Sequence, residues 1–368
     1  MNDPGGGPVP PSLRDHLRMG QVLPAHPLAL TPHRELDERR QRALTRHYVD
    51  AGAGGIAVGV HTTQFEIRDP RHGLYRPVLE LAASSAKEWL DRDARTRGGS
   101  PRSFIRIAGL VGDTRQANGE AAIARDADYH CGLLSLGGPA LATMSERALV
   151  AHCRTVSDTI PLFGFYLQPA VGGRALSAAF WRDFAEIPSV WAVKIAPFDR
   201  YRTMDVVRGI AESGRSDIAL YTGNDDAIVP DLVTPFPASV GGRSVDVRIV
   251  GGLLGQWAMW TRRAAAMLDD IKVACAAGGS VPASLLTTGA ALTDANGAIF
   301  DAANNFAGCL PGIHEVLRRQ GLMRGVWCLD PRLRLSPGQD EAITRVLRAY
   351  PDLQDNAWVE ERLDDWMA

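Results

Sequence analysis

A lysine inside an apolar segment is the residue of this sequence with the clearest capacity for chemistry. Lys194 stands within SVWAVKIAPFDR, residues 189–200, and lysine occurs at only two other positions, although Lys and Arg together number 40. An arginine could supply charge alone, but its guanidinium cannot lose a proton in a protein and so cannot act as an amine nucleophile. Lys194 therefore indicates covalent chemistry at an amine. The alternative is a lysine whose stem packs along a strand while its ammonium reaches solvent.

Seven further residues each lie at or just after the end of a predicted strand. They are His61, Thr62, Thr63, Tyr166, Arg174, Gly223 and Asn224. If the strands are parallel, their C-terminal ends meet at one mouth, so we expect these residues to lie near Lys194.

This set of residue types suits Schiff-base chemistry. Burial disfavours the charged form of an amine and so makes Lys194 more nucleophilic. A phenol such as that of Tyr166 can pass protons to and from the reacting oxygen. Hydroxyls such as those of Thr62 and Thr63 can hold a carboxylate. Taken singly, each residue has a plainer interpretation, as a core tyrosine or as turn threonines.

The elements that must position these residues alternate between short apolar runs and helical patterns. The predicted strands are Leu28–Leu30, Ile56–Val60, Phe104–Leu110, Gly132–Leu136, Leu162–Tyr166, Trp191–Ile195, Ile218–Tyr221 and Val247–Val250. Helical periodicity between them is clearest at 35–52, 75–94, 114–130, 145–159 and 255–279. Eight such β/α units predict an α/β fold, a (β/α)8 TIM barrel. A doubly wound sheet is the main alternative, and it is disfavoured because no GxGxxG follows the first predicted strand.

The pattern divides the chain into three parts. Residues 1–25 open with MNDPGGGPVPPS, whose Gly and Pro content predicts a mobile N-terminal tail without the features of a secretory signal. Residues 26–279 are the predicted barrel, with a long Pro- and Gly-rich insert at 231–246. Residues 280–368 carry helical patterns alone and predict a C-terminal helical extension.

Composition excludes several classes of function. The net charge of −2 offers no electrostatic footprint for nucleic acid or a membrane surface, and 45% hydrophobic residues can build a large core. The five cysteines are scattered without a Cys-x-x-Cys pair, so neither a disulfide framework nor a metal site is expected. We therefore expect a cytoplasmic protein without metal or cofactor.

Four segments give the chain a resemblance to a known family. They are ALTPH (29–33), GGIAVGVHTTQF (54–65), FYLQPAVGGRALS (165–177) and SVWAVKIAPFD (189–199), and the spacing from the tyrosine to the lysine fits as well. From about residue 28 to about residue 305 the sequence resembles the dihydrodipicolinate synthase / N-acetylneuraminate lyase family of class I aldolases. The resemblance implies that Lys194 forms an imine with a 2-oxo acid such as pyruvate, that Tyr166 transfers protons, and that the threonines near 62–63 bind the carboxylate.

The sequence also departs from the synthases of that family. Val171 stands where they carry an arginine for a distal carboxylate, with Arg174 three places further on, and LGGPALATM (136–144) lacks their relay tyrosine. His61 or Thr62 takes the place of the first threonine, depending on the alignment. We therefore expect a lyase other than dihydrodipicolinate synthase, with a neutral or aromatic aldehyde or a sugar acid as second substrate. The alternatives are a 3-deoxy-2-oxo sugar acid dehydratase using the same lysine, and a barrel that binds a 2-oxo acid without turnover. The family resemblance also implies a homo-oligomer, a dimer or tetramer.

Overall fold

The structure, a computed structural model, describes residues 12–278 and 280–368. Its strands are β1 (Val22–Pro24), β2 (Gly55–Val58), β3 (Ile105–Leu110), β4 (Cys131–Ser135), β5 (Leu162–Leu167), β6 (Val190–Ala196), β7 (Ala219–Thr222), β8 (Phe236–Val240), β9 (Arg243–Val247) and β10 (Ile249–Leu254). All except β8 and β9 belong to one parallel sheet in the order β1-β10-β7-β6-β5-β4-β3-β2. A parallel bridge between Ala25 and Ala57 joins its two ends, which closes the sheet into the predicted barrel.

Thirteen α-helices lie in the described parts of the chain. They are α1 (Leu13–Arg18), α2 (Glu38–Asp50), α3 (Tyr75–Arg97), α4 (Thr114–Asp126), α5 (Glu146–Ser157), α6 (Ala178–Ala185), α7 (Arg200–Ser213), α8 (Ile228–Val233), α9 (Thr261–Ala276), α10 (Ala283–Ile299), α11 (Cys309–Arg319), α12 (Gln339–Ala349) and α13 (Asn356–Met367). Among them, α10 to α13 form the predicted C-terminal helices. No helix of these described parts is long and apolar enough to cross a membrane.

Local sequence accounts for where several of the helices begin. The side chains of Asp37, Asp113, Ser145 and Ser177 each accept a hydrogen bond from a free amide in the first turn of the helix that follows. Such caps satisfy donors that the helix itself leaves unpaired. The cap of α7 bears most on the site, because Asp199 fixes the chain as it leaves the lysine strand.

Alternating side chains along the strands build two separate apolar layers. On β5, Phe163, Phe165 and Leu167 face into the barrel, whereas Leu162 and Tyr166 belong to the layer between the sheet and its helices. Successive residues of a strand point to opposite faces, so a shift of one residue moves a side chain from one layer to the other. This parity decides which of the predicted site residues reach the mouth.

The predicted start of the barrel needs correction. The first strand is Val22–Pro24 rather than Leu28–Leu30, and α1 precedes it, so the barrel begins inside the predicted tail. Residues 1–11 of that tail lie outside the described residues. Leu28 is fully buried, yet it packs in the outer layer without joining the sheet.

The insert at 231–246 is a structured element. It contains the end of α8 and most of the antiparallel hairpin β8–β9, in which Phe236 pairs with Val247. The eighth barrel strand follows the hairpin and runs over Ile249–Leu254, later than the predicted Val247–Val250.

Candidate active site

A cavity of about 70 Å³ opens at the C-terminal ends of the barrel strands. Lys194 and Asp225 lie in its wall together with His61, Thr62 and Gly223. Most of the remaining wall is apolar, and the residues used below are Phe165, Val171, Phe198, Phe300, Phe306 and Ile313. The cavity therefore combines one amine, one carboxyl and one imidazole with a largely apolar surface.

Lys194 reaches this cavity because it lies on the face of β6 that points into the barrel. Its neighbours Ala192 and Ala196 face the barrel interior, and the Lys194 amine lies over the Phe165 ring, 4.6 Å from the ring centroid. The amine makes no hydrogen bond or ion pair with any of the residues that the structure describes. Burial lowers the pKa of Lys194 to about 8, an effect that Asp225 partly opposes. An amine with such a lowered pKa is neutral, and hence nucleophilic, in a larger fraction of molecules at neutral pH.

Gly223 leaves the room that the lysine side chain occupies. A Cβ atom at this position would stand 2.5 Å from Cε and 3.1 Å from Cγ of Lys194. Real Cβ atoms do not approach other carbons so closely, and the amide of Gly223 is held by the Ile195 carbonyl at 2.7 Å. The predicted site residue Gly223 thus lies in the site, where it contacts the lysine through its missing side chain.

Asp225 is a site residue that the sequence analysis did not select. It lies two places after Gly223, in the YTGNDD segment that ends β7, and its carboxyl lines the cavity with Lys194. Burial raises the pKa of this carboxyl to about 7, and the Lys194 ammonium acts in the opposite direction. The available signal was its place directly beyond a strand end, which the pattern shared with Gly223 and Asn224.

His61 and Thr62 are the predicted polar groups that the structure does bring to the lysine. Burial, together with the nearby Lys194 ammonium, lowers the pKa of His61 to about 4, so its imidazole is neutral at neutral pH. The Thr62 hydroxyl donates to the His26 carbonyl at 3.3 Å, a long bond that a ligand carboxylate could replace.

Thr63 and Asn224 hold loops outside the cavity wall. The Thr63 hydroxyl donates to the His26 carbonyl at 2.7 Å and accepts from the Gly59 amide at 2.9 Å. The Asn224 side chain accepts from the Phe198 amide at 2.9 Å and donates to Asp231 at 2.9 Å. Both residues are fully committed to these bonds, so their contribution is to position the loops after β2, β6 and β7.

Tyr166 does not lie in the cavity, contrary to the sequence expectation. Its ring packs against Trp181 in the outer layer, and its hydroxyl accepts from the Leu176 amide at 3.1 Å and donates to the Leu176 carbonyl at 3.3 Å. The reason is register: Lys194 pairs with Phe165, so the tyrosine one residue further along β5 faces the helices. The phenol cannot reach the lysine amine from that side of the sheet.

Arg174 is also absent from the cavity wall. Its guanidinium donates to the Leu141 carbonyl at 2.9 Å in the loops beyond β4 and β5. Val171 lines the cavity instead, and among the described residues no arginine does so. The site therefore offers no positive partner for a second carboxylate besides Lys194.

The C-terminal helices close the mouth with aromatic side chains. Phe300 follows the last residue of α10, and Ile313 lies within α11. The rings of Phe198 and Phe306 meet edge to face at 5.7 Å. Both phenylalanines have left-handed backbones, with φ of 53° and 64° respectively. Bulky residues rarely adopt this conformation, and such strain clusters at binding sites. The sequence analysis could not connect residues near 300 with the mouth, because only the folded chain brings them there.

Comparison with known proteins defines the fold class. No protein-family profile matches the sequence, and no well-characterised protein matches it significantly in sequence. Solved structures of the dihydrodipicolinate synthase and N-acetylneuraminate lyase family do share its fold. The resemblance suggested by the four sequence segments is thus supported at the level of the fold.

Three of these structures show the extent of the likeness. The 4-hydroxy-tetrahydrodipicolinate synthase of Methylacidiphilum fumariolicum SolV matches with a TM-score of 0.71 and 15% identity, over 93% of this chain and 98% of its own. N-acetylneuraminate lyase from Fusobacterium nucleatum gives 0.67 and 16%, over 90% and 99%. A prophage protein of the dihydrodipicolinic acid synthase family from E. coli K12, solved in complex with pyruvate, gives 0.68 and 15%, over 91% and 98%.

Proposed function

We propose that this protein is a class I lyase that acts on pyruvate or a similar 2-oxo acid through an imine with Lys194. The observation that carries the proposal is the placement of the lysine amine at a cavity in the barrel mouth, without a hydrogen bond or ion pair in the described structure and with a lowered pKa. The fold supports it, since three solved structures of the same fold hold pyruvate.

The size and chemistry of the cavity suit a small 2-oxo acid. A volume of about 70 Å³ is several times the roughly 10–15 Å³ that a cavity needs to hold one water, so the cavity has room for a small molecule such as pyruvate. The carboxylate of the 2-oxo acid would accept a hydrogen bond from the Thr62 hydroxyl, and its ketone carbon would lie beside the Lys194 amine. The neutral imidazole of His61 can offer one further N–H.

The remaining wall indicates the second substrate. With Phe198, Phe300 and Phe306 at the mouth, an aldehyde with an apolar or aromatic tail would bury apolar surface against these rings. An anionic tail would meet Asp225 and find no arginine among the described wall residues. The aldehyde is therefore uncharged.

One observation favours a second candidate function. The tyrosine that the resemblance assigns to proton transfer lies outside the cavity, bonded to Leu176. A barrel without that tyrosine at the lysine could bind a 2-oxo acid and sense it without turning it over. Imine trapping combined with a turnover assay separates the two candidates.

Reductive trapping tests the proposal. The protein is incubated with pyruvate and borohydride, which reduces an imine to a stable amine, and the adduct is located by peptide mass mapping. We expect the adduct on Lys194, and none in Lys194→Arg, because a guanidinium does not form an imine. Labelling of Lys87 or Lys272 in place of Lys194 would refute the assignment.

A further inference from the structure

The carboxyl group of Asp225 has the position of a reacting group. It faces the same cavity of about 70 Å³ as the Lys194 amine. The carboxyl Oδ1 accepts from the Gln256 backbone amide at 3.2 Å, and the Asp225 backbone carbonyl accepts from the Asn296 side chain at 2.7 Å. Gln256 and Asn296 are themselves buried, so the carboxyl is held from the β10 side and the backbone of Asp225 from α10.

The other titratable groups of the cavity wall are less suited to moving a proton at neutral pH. Burial, with the Lys194 ammonium nearby, lowers the pKa of His61 to about 4, which makes its imidazole a weak base. Burial raises the pKa of the Cys309 thiol, which therefore stays protonated. Tyrosine is absent from the wall in the described part of the chain. Asp225 alone combines proximity to the lysine with a pKa near the working pH, where proton transfer is most effective.

We propose that Asp225 donates and accepts protons in the Lys194 reaction, which is the role that the family resemblance assigns to Tyr166. This inference rests on the proposed function. The neutral amine adds to the ketone carbon, and its proton moves to the former ketone oxygen to give a carbinolamine. Asp225 then protonates that hydroxyl, the C–O bond breaks, and water leaves. The products are a protonated imine and the Asp225 carboxylate.

The same carboxylate is then placed for the carbon chemistry. It removes a proton from the carbon next to the imine, and the electrons of that C–H bond form the enamine. In the condensing direction the enamine carbon attacks the aldehyde, and Asp225 returns its proton to the new alkoxide. Water then adds to the product imine, Asp225 takes up one proton from it, and the carbinolamine collapses to free the product and the neutral Lys194 amine. The carboxyl thus gives two protons and regains two, and the water released at the start is consumed at the end.

The role of Asp225 can be tested by measuring how the rate of imine trapping changes with pH. The step needs one proton on the Lys194–Asp225 pair, and the pair holds two at low pH and none at high pH. The trapping rate should therefore be bell-shaped, with a maximum between the pKa of Asp225, about 7, and that of Lys194, about 8; these two values belong to the pair. Asp225→Asn leaves the Lys194 ionisation alone, so the falling limb at high pH should disappear. Its rate should fall by about 100-fold, a usual contribution of general acid–base catalysis, and should then rise with pH to a plateau.

Matched variants separate chemistry from folding. Asparagine keeps an oxygen for the Gln256 amide, and Asp225→Glu should restore part of the bell. Asp226→Asn changes the adjacent, exposed carboxyl outside the cavity wall. It should keep the bell with its rising limb moved to slightly lower pH, because the Asp226 charge helps to raise the pKa of Asp225.

The outcomes distinguish this inference from the proposed function. No adduct on Lys194 in the parent protein would overturn both. An adduct in the parent, with the same bell in a folded Asp225→Asn, would overturn the role of Asp225 and leave the imine standing. If Asp225→Asn did not fold, the profile of the parent protein would decide: a trapping rate that rises with pH to a plateau, without a falling limb at high pH, would overturn the role of Asp225.

Discussion

The substitution Gly223→Ala tests how tightly the barrel constrains the reactive lysine. The φ of Gly223 lies outside the left-handed region, so alanine is not strained by its own backbone. Its methyl group would stand 2.5 Å from Cε of Lys194 and 2.7 Å from Cβ of Ala196. Ala196 belongs to the packed barrel interior, so the flexible lysine must give way.

The size of the effect follows from that contact. A side chain forced about 30° from its rotamer costs about 0.5–1.5 kcal/mol, and overpacking a filled site costs about 1–3 kcal/mol. If a cost of about 1–3 kcal/mol appears in the barrier to imine formation, the rate falls about 5- to 150-fold. We expect that loss in the single-turnover trapping rate with pyruvate, measured together with thermal unfolding.

A second glycine of the same cavity gives the comparison. At Gly255 a new methyl group would have its nearest neighbour, Cδ1 of Ile313, at 3.5 Å, an ordinary contact. Gly255→Ala should therefore reduce trapping by less than Gly223→Ala does. Equal rates in the parent and a folded Gly223→Ala would refute the reasoning, because the lysine would then not be fixed by the space at Gly223.

Three further predictions concern residues that the structure places outside the cavity, and the substrate that the cavity excludes. Tyr166→Phe removes the two hydrogen bonds to Leu176 and should lower the free energy of unfolding by about 1 kcal/mol in denaturant titration. The rate of imine trapping on Lys194 should equal that of the parent protein. A trapping rate about 100-fold lower would show that the phenol takes part in the reaction. Asn224→Ala leaves the Phe198 amide without its acceptor and removes one of three side chains that bond the buried Asp231 carboxylate, while Thr222 and Arg200 remain. It should cost about 1–3 kcal/mol of stability, and an unchanged melting temperature would contradict that role. Pyruvate and aspartate semialdehyde should not condense detectably in a coupled reductase assay, because the described cavity wall holds no arginine for the second carboxylate, and robust synthase activity would overturn the choice of an uncharged aldehyde.

The fold followed from the sequence wherever a strand was long and apolar. Segments such as Leu162–Tyr166 and Trp191–Ile195 match β5 and β6 closely. The first strand was missed because Val22–Pro24 has three residues in a proline-containing stretch, while the more apolar Leu28–Leu30 is buried without pairing. Local composition reports burial more reliably than it reports hydrogen bonding with a distant strand.

The site was predictable in part. Lys194 was found because an amine in an apolar strand is unusual, and His61 and Thr62 because they follow a strand end. The direction of Tyr166 depends on the pairing of β5 with β6, whose register shifts between Leu162 and Phe163. No local pattern encodes that shift, and a single residue of register decides which face a side chain takes.

A crystal structure of the protein grown with pyruvate would show directly whether Lys194 forms the imine. We expect continuous electron density from the Lys194 amine to the second carbon of pyruvate, with the carboxylate against Thr62 and the Asp225 carboxyl beside the new C–N bond. Pyruvate bound away from Lys194, or lying in the cavity without a covalent bond at saturating concentration and a pH near 8, would contradict it.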